Sequence, residues 1–254
     1  MAPLNPFLPS LYAPLLAKAR RALDYLEQPR MLIARQSGVH VGFIGELLEI
    51  RDKFAQRPHT FIDVGANVGD FSAAARFLYP EAQLHAFEPN PVHHATLRRR
   101  FQSDARATVH ACALASREEL RDLHVTGADS LASLLSPAVG LAEQFGQAAA
   151  QTTTLRVPTR RLDTVLSIEQ LPSPRLLKID VQGAELEVLR GAGAQLAHFA
   201  CVKLEVSFEA YYAGQAQFSE VISLMSQHGF RSFHQQGCMH AAGRPRWCDL
   251  VFLR

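Results

Sequence analysis

The sequence is poor in cysteine, in net charge and in long apolar runs. Its four cysteines, Cys112, Cys201, Cys238 and Cys248, include no pair at C-x-x-C spacing in 254 residues. That excludes a disulfide-dense scaffold and makes a reducing compartment the simpler expectation. His234, Cys238, His240 and Cys248 match no zinc finger or ribbon spacing, so no metal site is expected. The 26 Lys and Arg against 24 Asp and Glu leave a net charge of +2, too little to predict a nucleic-acid partner or an anionic membrane surface. The basic run Arg98-Arg99-Arg100 reads as a solvated helix face. No apolar run approaches the roughly 18 residues of a membrane span, and the N-terminus lacks a charged segment followed by an apolar core, so a cytoplasmic protein without a span is expected. The lone tryptophan, Trp247, reads as core rather than as a ligand platform. His93 and His94, after Pro91, read as the start of a solvated helix.

What remains is an ordinary globular composition, 48% apolar and 20% charged, with one informative stretch. Phe61-Ile-Asp-Val-Gly-Ala-Asn-Val-Gly-Asp70 reads as a buried strand that turns through glycines into a helix. A pyrophosphate loop of the G-x-G-x-x-G type needs its second glycine for backbone approach to the phosphates. Here the three positions are Gly65, Asn67 and Asp70. Carboxylates at Asp63 and Asp70 would repel a pyrophosphate at the helix N-terminus, so the loop suits a cationic, phosphate-free ligand such as S-adenosylmethionine. Leu84-His-Ala-Phe-Glu88 reads as the next strand, and Glu88 falls within the usual distance for an acid that grips ribose hydroxyls. Pro89 and Asn90 then break the strand.

Residues 1–58 differ from the rest. Leu15 to Leu26 carries apolar residues at helical spacing before Pro29 stops it, and Gly45 to Phe54 repeats the pattern. These segments are expected to form a helical cap on the sheet or near the cofactor cleft, or else a covering or homodimerisation element. From residue 59 onward short apolar strands alternate with helical segments, which predicts a mostly parallel sheet covered on both faces. The expected strands are 60–64, 83–88, 107–112, 120–125, 175–180, 200–206, 229–234 and 247–253, with the last two facing each other across Gln235 to Arg246. Thr126 to Thr154, rich in Gly, Ser, Ala and Gln, shows no clear strand and suits a lid.

Several blocks occur in order: D-V-G-A-N-x-G at Asp63 to Gly69, F-E-P at Phe87 to Pro89, L-D at Leu162 and Asp163, K-I-D-x-x-G-x-E at Lys178 to Glu185, and a strand ending at Glu205. Over residues 60–254 the chain closely resembles the FkbM-type methyltransferases. The resemblance implies a Rossmann-like methyltransferase fold, with a mostly parallel sheet and a C-terminal antiparallel strand pair. It also implies methyl transfer from S-adenosylmethionine to a hydroxyl of a small-molecule or glycan acceptor, often a sugar or natural product. The cofactor set it implies is Asp63, Gly65, Ala66, Asn67, Val68, Gly69, Glu88, Pro89, Asn90 and Asp180. Gln182 stands where the family usually has glutamate; an amide can hydrogen-bond but cannot take a proton.

In an open parallel sheet the ligand lies beyond the carboxyl ends of the strands, where Asp63, Glu88, Asp180 and Glu205 converge. Asp180 is the leading candidate for general base or acceptor-orienting group, because Gly183 after it lets a substrate approach. Glu205 is second. The bland alternative makes Asp180 a helix cap and Glu205 a partner of a nearby lysine. Lys178 shares a strand face with Asp180 and is expected to form a structural ion pair with a neighbouring strand acid. Two other functions compete: a catalytically silent cofactor-binding scaffold, which Gln182 favours, and a nicotinamide-dependent oxidoreductase, which the missing glycine and Asp70 disfavour.

Overall fold

The computed structural model describes residues 29–54, 56–127, 129–241 and 243–254; the helix expected over Leu15 to Leu26 lies outside them. The strands are β1 Thr60–Val64, β2 Gln83–Phe87, β3 Ala107–His110, β4 Ala113–Leu114, β5 Glu119–Thr126, β6 Thr152–Arg160, β7 Arg175–Ile179, β8 Cys201–Ser207, β9 Ser232–Ala241 and β10 Arg244–Leu253. Seven form the main sheet in the order β3-β2-β1-β7-β8-β10-β9. Pairing is parallel from β3 through β8, and β10 runs antiparallel to both β8 and β9. This is the expected mostly parallel sheet with its C-terminal antiparallel pair.

β1 is buried along its whole length, as a central parallel strand with helices on both faces must be. On one face the helices Val41–Lys53 and Asp70–Leu78 place Ile44, Leu47, Phe71 and Ala75 against Phe61, Leu84 and Val251. On the other, the helices Glu185–Ala192 and Phe218–Gln227 place Val188, Leu189, Val221 and Met225 against Ile62, Leu177, Val202 and Leu250. Each large side chain so buried contributes about 1.5–3 kcal/mol. The Val41–Lys53 helix is also held by polar contacts. Gln236 on β9 donates to the Glu46 carbonyl at 2.8 Å, and buried Lys203 on β8 lies 2.9 Å from Asp249 and 3.4 Å from Glu46. This helix of the expected cap therefore packs on the sheet.

The structure corrects several sequence-based boundaries. The expected strand 107–112 ends at His110 as β3, the separate short β4 follows at Ala113–Leu114, and 120–125 falls within β5 of a second, three-stranded sheet ordered β4-β6-β5. Its central strand, β6, was not expected: four threonines and Pro158 disguise it. Pro158 pairs with Leu120 of β5, while β4 covers only Thr159 and Arg160, so the missing N–H falls where β6 is an edge. The connector expected over Gln235 to Arg246 is mostly strand, since β9 and β10 stay paired as far as Ala241 and Arg244. Pro29 opens a helix, Pro29–Gln36, rather than merely ending one.

Candidate active site

β1 ends in the loop that builds the first wall of the site. Gly65 has φ +75, and a Cβ there would lie 1.9 Å from the Asp180 carbonyl oxygen, so this glycine answers the close approach of the chain leaving β7. Gly69 has φ +86, and a Cβ would meet Leu97 at 2.5 Å. Asn67 takes the left-handed conformation without being glycine, at φ 50. Its N–H donates to Glu88 Oε2 at 2.8 Å, while the Asn90 N–H donates to Glu88 Oε1 at 2.8 Å. Burial raises the Glu88 pKa and these two backbone bonds oppose the rise. Each carboxylate oxygen keeps a free lone pair.

A cavity of about 280 Å³ lies over these loops. Gly65, Ala66, Asn67, Val68, Glu88, Pro89 and Asp180 of the expected set line it, together with His93 and the apolar side chains of Phe43, Phe87, Leu114 and Leu134. Asp63, Gly69 and Asn90 support it from behind. Asp63 is buried, accepts from Ser72 Oγ at 2.7 Å and lies 3.1 Å from Lys178 Nζ. Asn90 caps the helix Pro91–Phe101 by accepting from the Val92 N–H at 3.1 Å. The solvated reading of His93 is corrected, for it is buried at the cavity wall. Arg98, Arg99 and Arg100 are exposed on the helix as expected, and Arg100 also pairs with Asp70 at 2.7 Å and donates to the Val68 carbonyl at 3.1 Å. Asp70 is thus partly neutralised, which weakens the argument from repulsion.

Lys178 is the buried centre of the floor. Its ammonium donates to the Gly65 carbonyl at 2.9 Å and lies 3.7 Å from Asp180. Burial lowers its pKa, but Asp63 and Asp180 outweigh that and leave it above the ordinary lysine value. The expected structural ion pair with a strand acid is present.

A second cavity, about 150 Å³, adjoins the first. Asp180, Gln182 and Ser130 line both. Glu205 and Ser207 from β8 line the second alone, with Tyr212 and an aromatic wall of Phe145, Tyr211 and Trp247. Trp247 lies 5.5 Å from Phe145 and 6.0 Å from Tyr211, centroid to centroid, and packs on a small core cluster as expected while also lining this cavity. Glu205 is raised well above the carboxylate range by burial and by Asp180, Glu185 and Asp249, against the pull of Lys203. The bland alternatives do not hold, since Lys203 pairs with Glu46 and Asp249 and the helix after Asp180 has Ala184 at its N-cap. Thr126 to Thr154 roofs both cavities through Ser130, Leu131, Ser133, Leu141 and Phe145.

Sequence reasoning gave no role to Tyr211, Tyr212, Phe145, Ser133 or Glu185. Only Glu185 carried a signal, the end of the K-I-D-x-x-G-x-E block. It is buried and pushed up to about 7 by that burial, and it accepts from the Val181 and Gly183 N–H groups at 3.2 and 3.1 Å. Among the described residues no group of three or more His, Cys, Asp or Glu is placed to hold a metal ion.

The main sheet and a ligand crevice at its strand ends define a Rossmann-like α/β fold of the methyltransferase kind. The methyltransferase FkbM domain matches residues 63–232, and the chain belongs to that family. It is 32% identical over 173 residues to the 2-O-methyltransferase NoeI of Sinorhizobium fredii (strain NBRC 101917 / NGR234), covering 65% of this chain and 70% of NoeI. It is 29% identical over 209 residues to the 31-O-demethyl-FK506 methyltransferase FkbM of Streptomyces tacrolimicus, covering 70% and 75%. Among solved structures, magnesium protoporphyrin IX methyltransferase (ChlM) from Synechocystis PCC 6803, with bound SAM, overlays 83% of this chain and 77% of its own at 11% identity and a TM-score of 0.45.

Proposed function

We propose that the protein is an S-adenosylmethionine-dependent O-methyltransferase acting on a hydroxyl of a small molecule, a sugar or glycan or a natural product. The observation that carries this reading is the junction of the two cavities at Asp180 and Gln182. The donor set of the larger cavity fits the cofactor. Glu88 offers carboxylate lone pairs to ribose hydroxyls, apolar side chains offer a slot for a flat base, and Asp180 gives the junction a negative charge suited to a sulfonium. Bound there, S-adenosylmethionine would supply a methyl group activated by its sulfonium. The smaller cavity, with its aromatic wall and acidic floor, holds the acceptor. Asp180 takes the proton of the acceptor hydroxyl as that oxygen gains the methyl. Glu205, whose environment favours its protonated form, comes second as a base. Much of the remaining work is positioning, because an in-line displacement depends on holding the oxygen at the right distance and angle. The names of NoeI and FkbM, both O-methyltransferases, support oxygen as the acceptor atom.

Calorimetry with S-adenosylmethionine, S-adenosylhomocysteine and NAD tests the cofactor, and transfer of labelled methyl to a panel of sugars and hydroxylated natural products tests the reaction. Binding of the two methionine cofactors and not NAD is expected. NAD binding without either would overturn the reading, and tight cofactor binding with no transfer across the panel would favour a silent scaffold.

A further inference from the structure

Gln182 is held in an unusual way. It is one of two non-glycine residues with positive φ among those described, at +53, a conformation that persists only where its surroundings enforce it. The surroundings are explicit. The flanking N–H groups of Val181 and Gly183 both donate to Glu185 Oε1, and Ser133 Oγ donates to the Gln182 carbonyl at 2.7 Å. The side chain is then fixed at both ends. Its Nε2 donates to Asp180 Oδ1 at 2.7 Å, and its Oε1 accepts from the Tyr212 hydroxyl at 3.4 Å. Tyr212 is buried and also lies 3.2 Å from the Leu131 carbonyl.

We infer that Gln182 is a positioning residue whose amide, set by Tyr212, orients the Asp180 carboxylate at the junction and keeps one of its oxygens engaged as an acceptor. The inference rests on the reading of Asp180 as the proton acceptor. The amide can do this where a carboxylate could not. Asp180 already has one cation beside it, Lys178 on β7, while Glu205 on β8 and Glu185 on the following helix add acidic groups, and Lys203 on β8 acts from further off. A second carboxyl within hydrogen-bond distance would have to share a proton with Asp180. A neutral donor on Oδ1 leaves Asp180 Oδ2, 3.7 Å from Lys178 Nζ, to take the acceptor hydroxyl's proton.

The test compares Gln182→Glu, Gln182→Leu and Tyr212→Phe. It has two readouts: the titration of Asp180 by carbon NMR of protein labelled at aspartate carboxyls, without cofactor, and the pH profile of kcat and KM for methyl transfer. In Gln182→Glu the Asp180 titration should move up by about one unit or more, and in Gln182→Leu by less, since hydrogen bonds to the charged form favour it. The acidic limb of kcat should move with it; kcat should fall tenfold or more while the acceptor KM changes under about threefold. Tyr212→Phe, which removes the hydroxyl from both Gln182 and the Leu131 carbonyl but leaves the Gln182–Asp180 bond, should give a smaller shift of the same sign and keeps the test open if Gln182→Leu does not fold. An unmoved Asp180 titration in all three variants overturns the inference. A shifted titration in a protein that transfers no methyl in any form leaves the positioning intact and overturns the assigned reaction instead.

Discussion

Lys178 and Asp63 form a buried ion pair across adjacent parallel strands, with Nζ 3.1 Å from Oδ1 and each side chain almost fully shielded from water. Removing one partner strands the other in an apolar interior. Lys178→Met is expected to destabilise the protein by about 3–5 kcal/mol, read from the midpoint of urea unfolding at constant slope. A loss under about 1 kcal/mol, the size of a surface pair, would mean that water reaches Asp63.

Glu88 has two tasks. Glu88→Ala should weaken binding of S-adenosylmethionine by about 1.5–3 kcal/mol, the range for hydrogen bonds to a charged group. It should also lower the melting temperature of the cofactor-free protein, because the Asn67 and Asn90 N–H groups lose their acceptor. Glu88→Gln, which keeps an acceptor oxygen, should restore much of the melting temperature but less of the binding. Equal dissociation constants for wild type and Glu88→Ala would remove the ribose role.

Asp180→Asn should bind cofactor to within a few fold and transfer methyl roughly a hundredfold or more slowly, the scale for a lost general base. Single-turnover transfer with cofactor saturating is the measurement. Full activity would pass the role to Glu205 or to positioning alone.

Glu185 sets a pH dependence of stability. Its folded pKa is raised to about 7 by burial, so between the unfolded carboxylate range and pH 7 the native state holds a proton that the unfolded chain has lost. The native state binds more protons there, and stability falls as pH rises through that window and levels above it. Glu185→Gln, whose amide oxygen can still accept from Val181 and Gly183, should flatten the decline. An unchanged slope in urea titrations from pH 4.5 to 7.5 would locate the buried acid elsewhere.

The alternation of strands and helices made the main sheet readable, and spacing placed Glu88 and the loop after β1 at its strand ends, while Asp180 needed the family block at Lys178 to Glu185 as well. What escaped the sequence has physical causes. Gly65 signalled a ligand but serves first to admit the Asp180 carbonyl. Pro158 hid β6 because a strand edge tolerates what a central strand does not. The second cavity was invisible: Phe145, Tyr211 and Trp247 come from separate segments with no shared period, and only the fold brings their rings together. His93 looked like a solvent residue because exposed residues such as Val92 and Arg98 share its helix.

Asp180, Gln182 and Ser130 are walls common to two chambers. A ligand in one chamber that moves any of them alters what the other chamber presents. Linkage then makes the effect mutual: whatever factor cofactor occupancy adds to the affinity for acceptor, acceptor occupancy adds to the affinity for cofactor. Loss of either partner therefore changes, by that same factor, the grip on the one that stays.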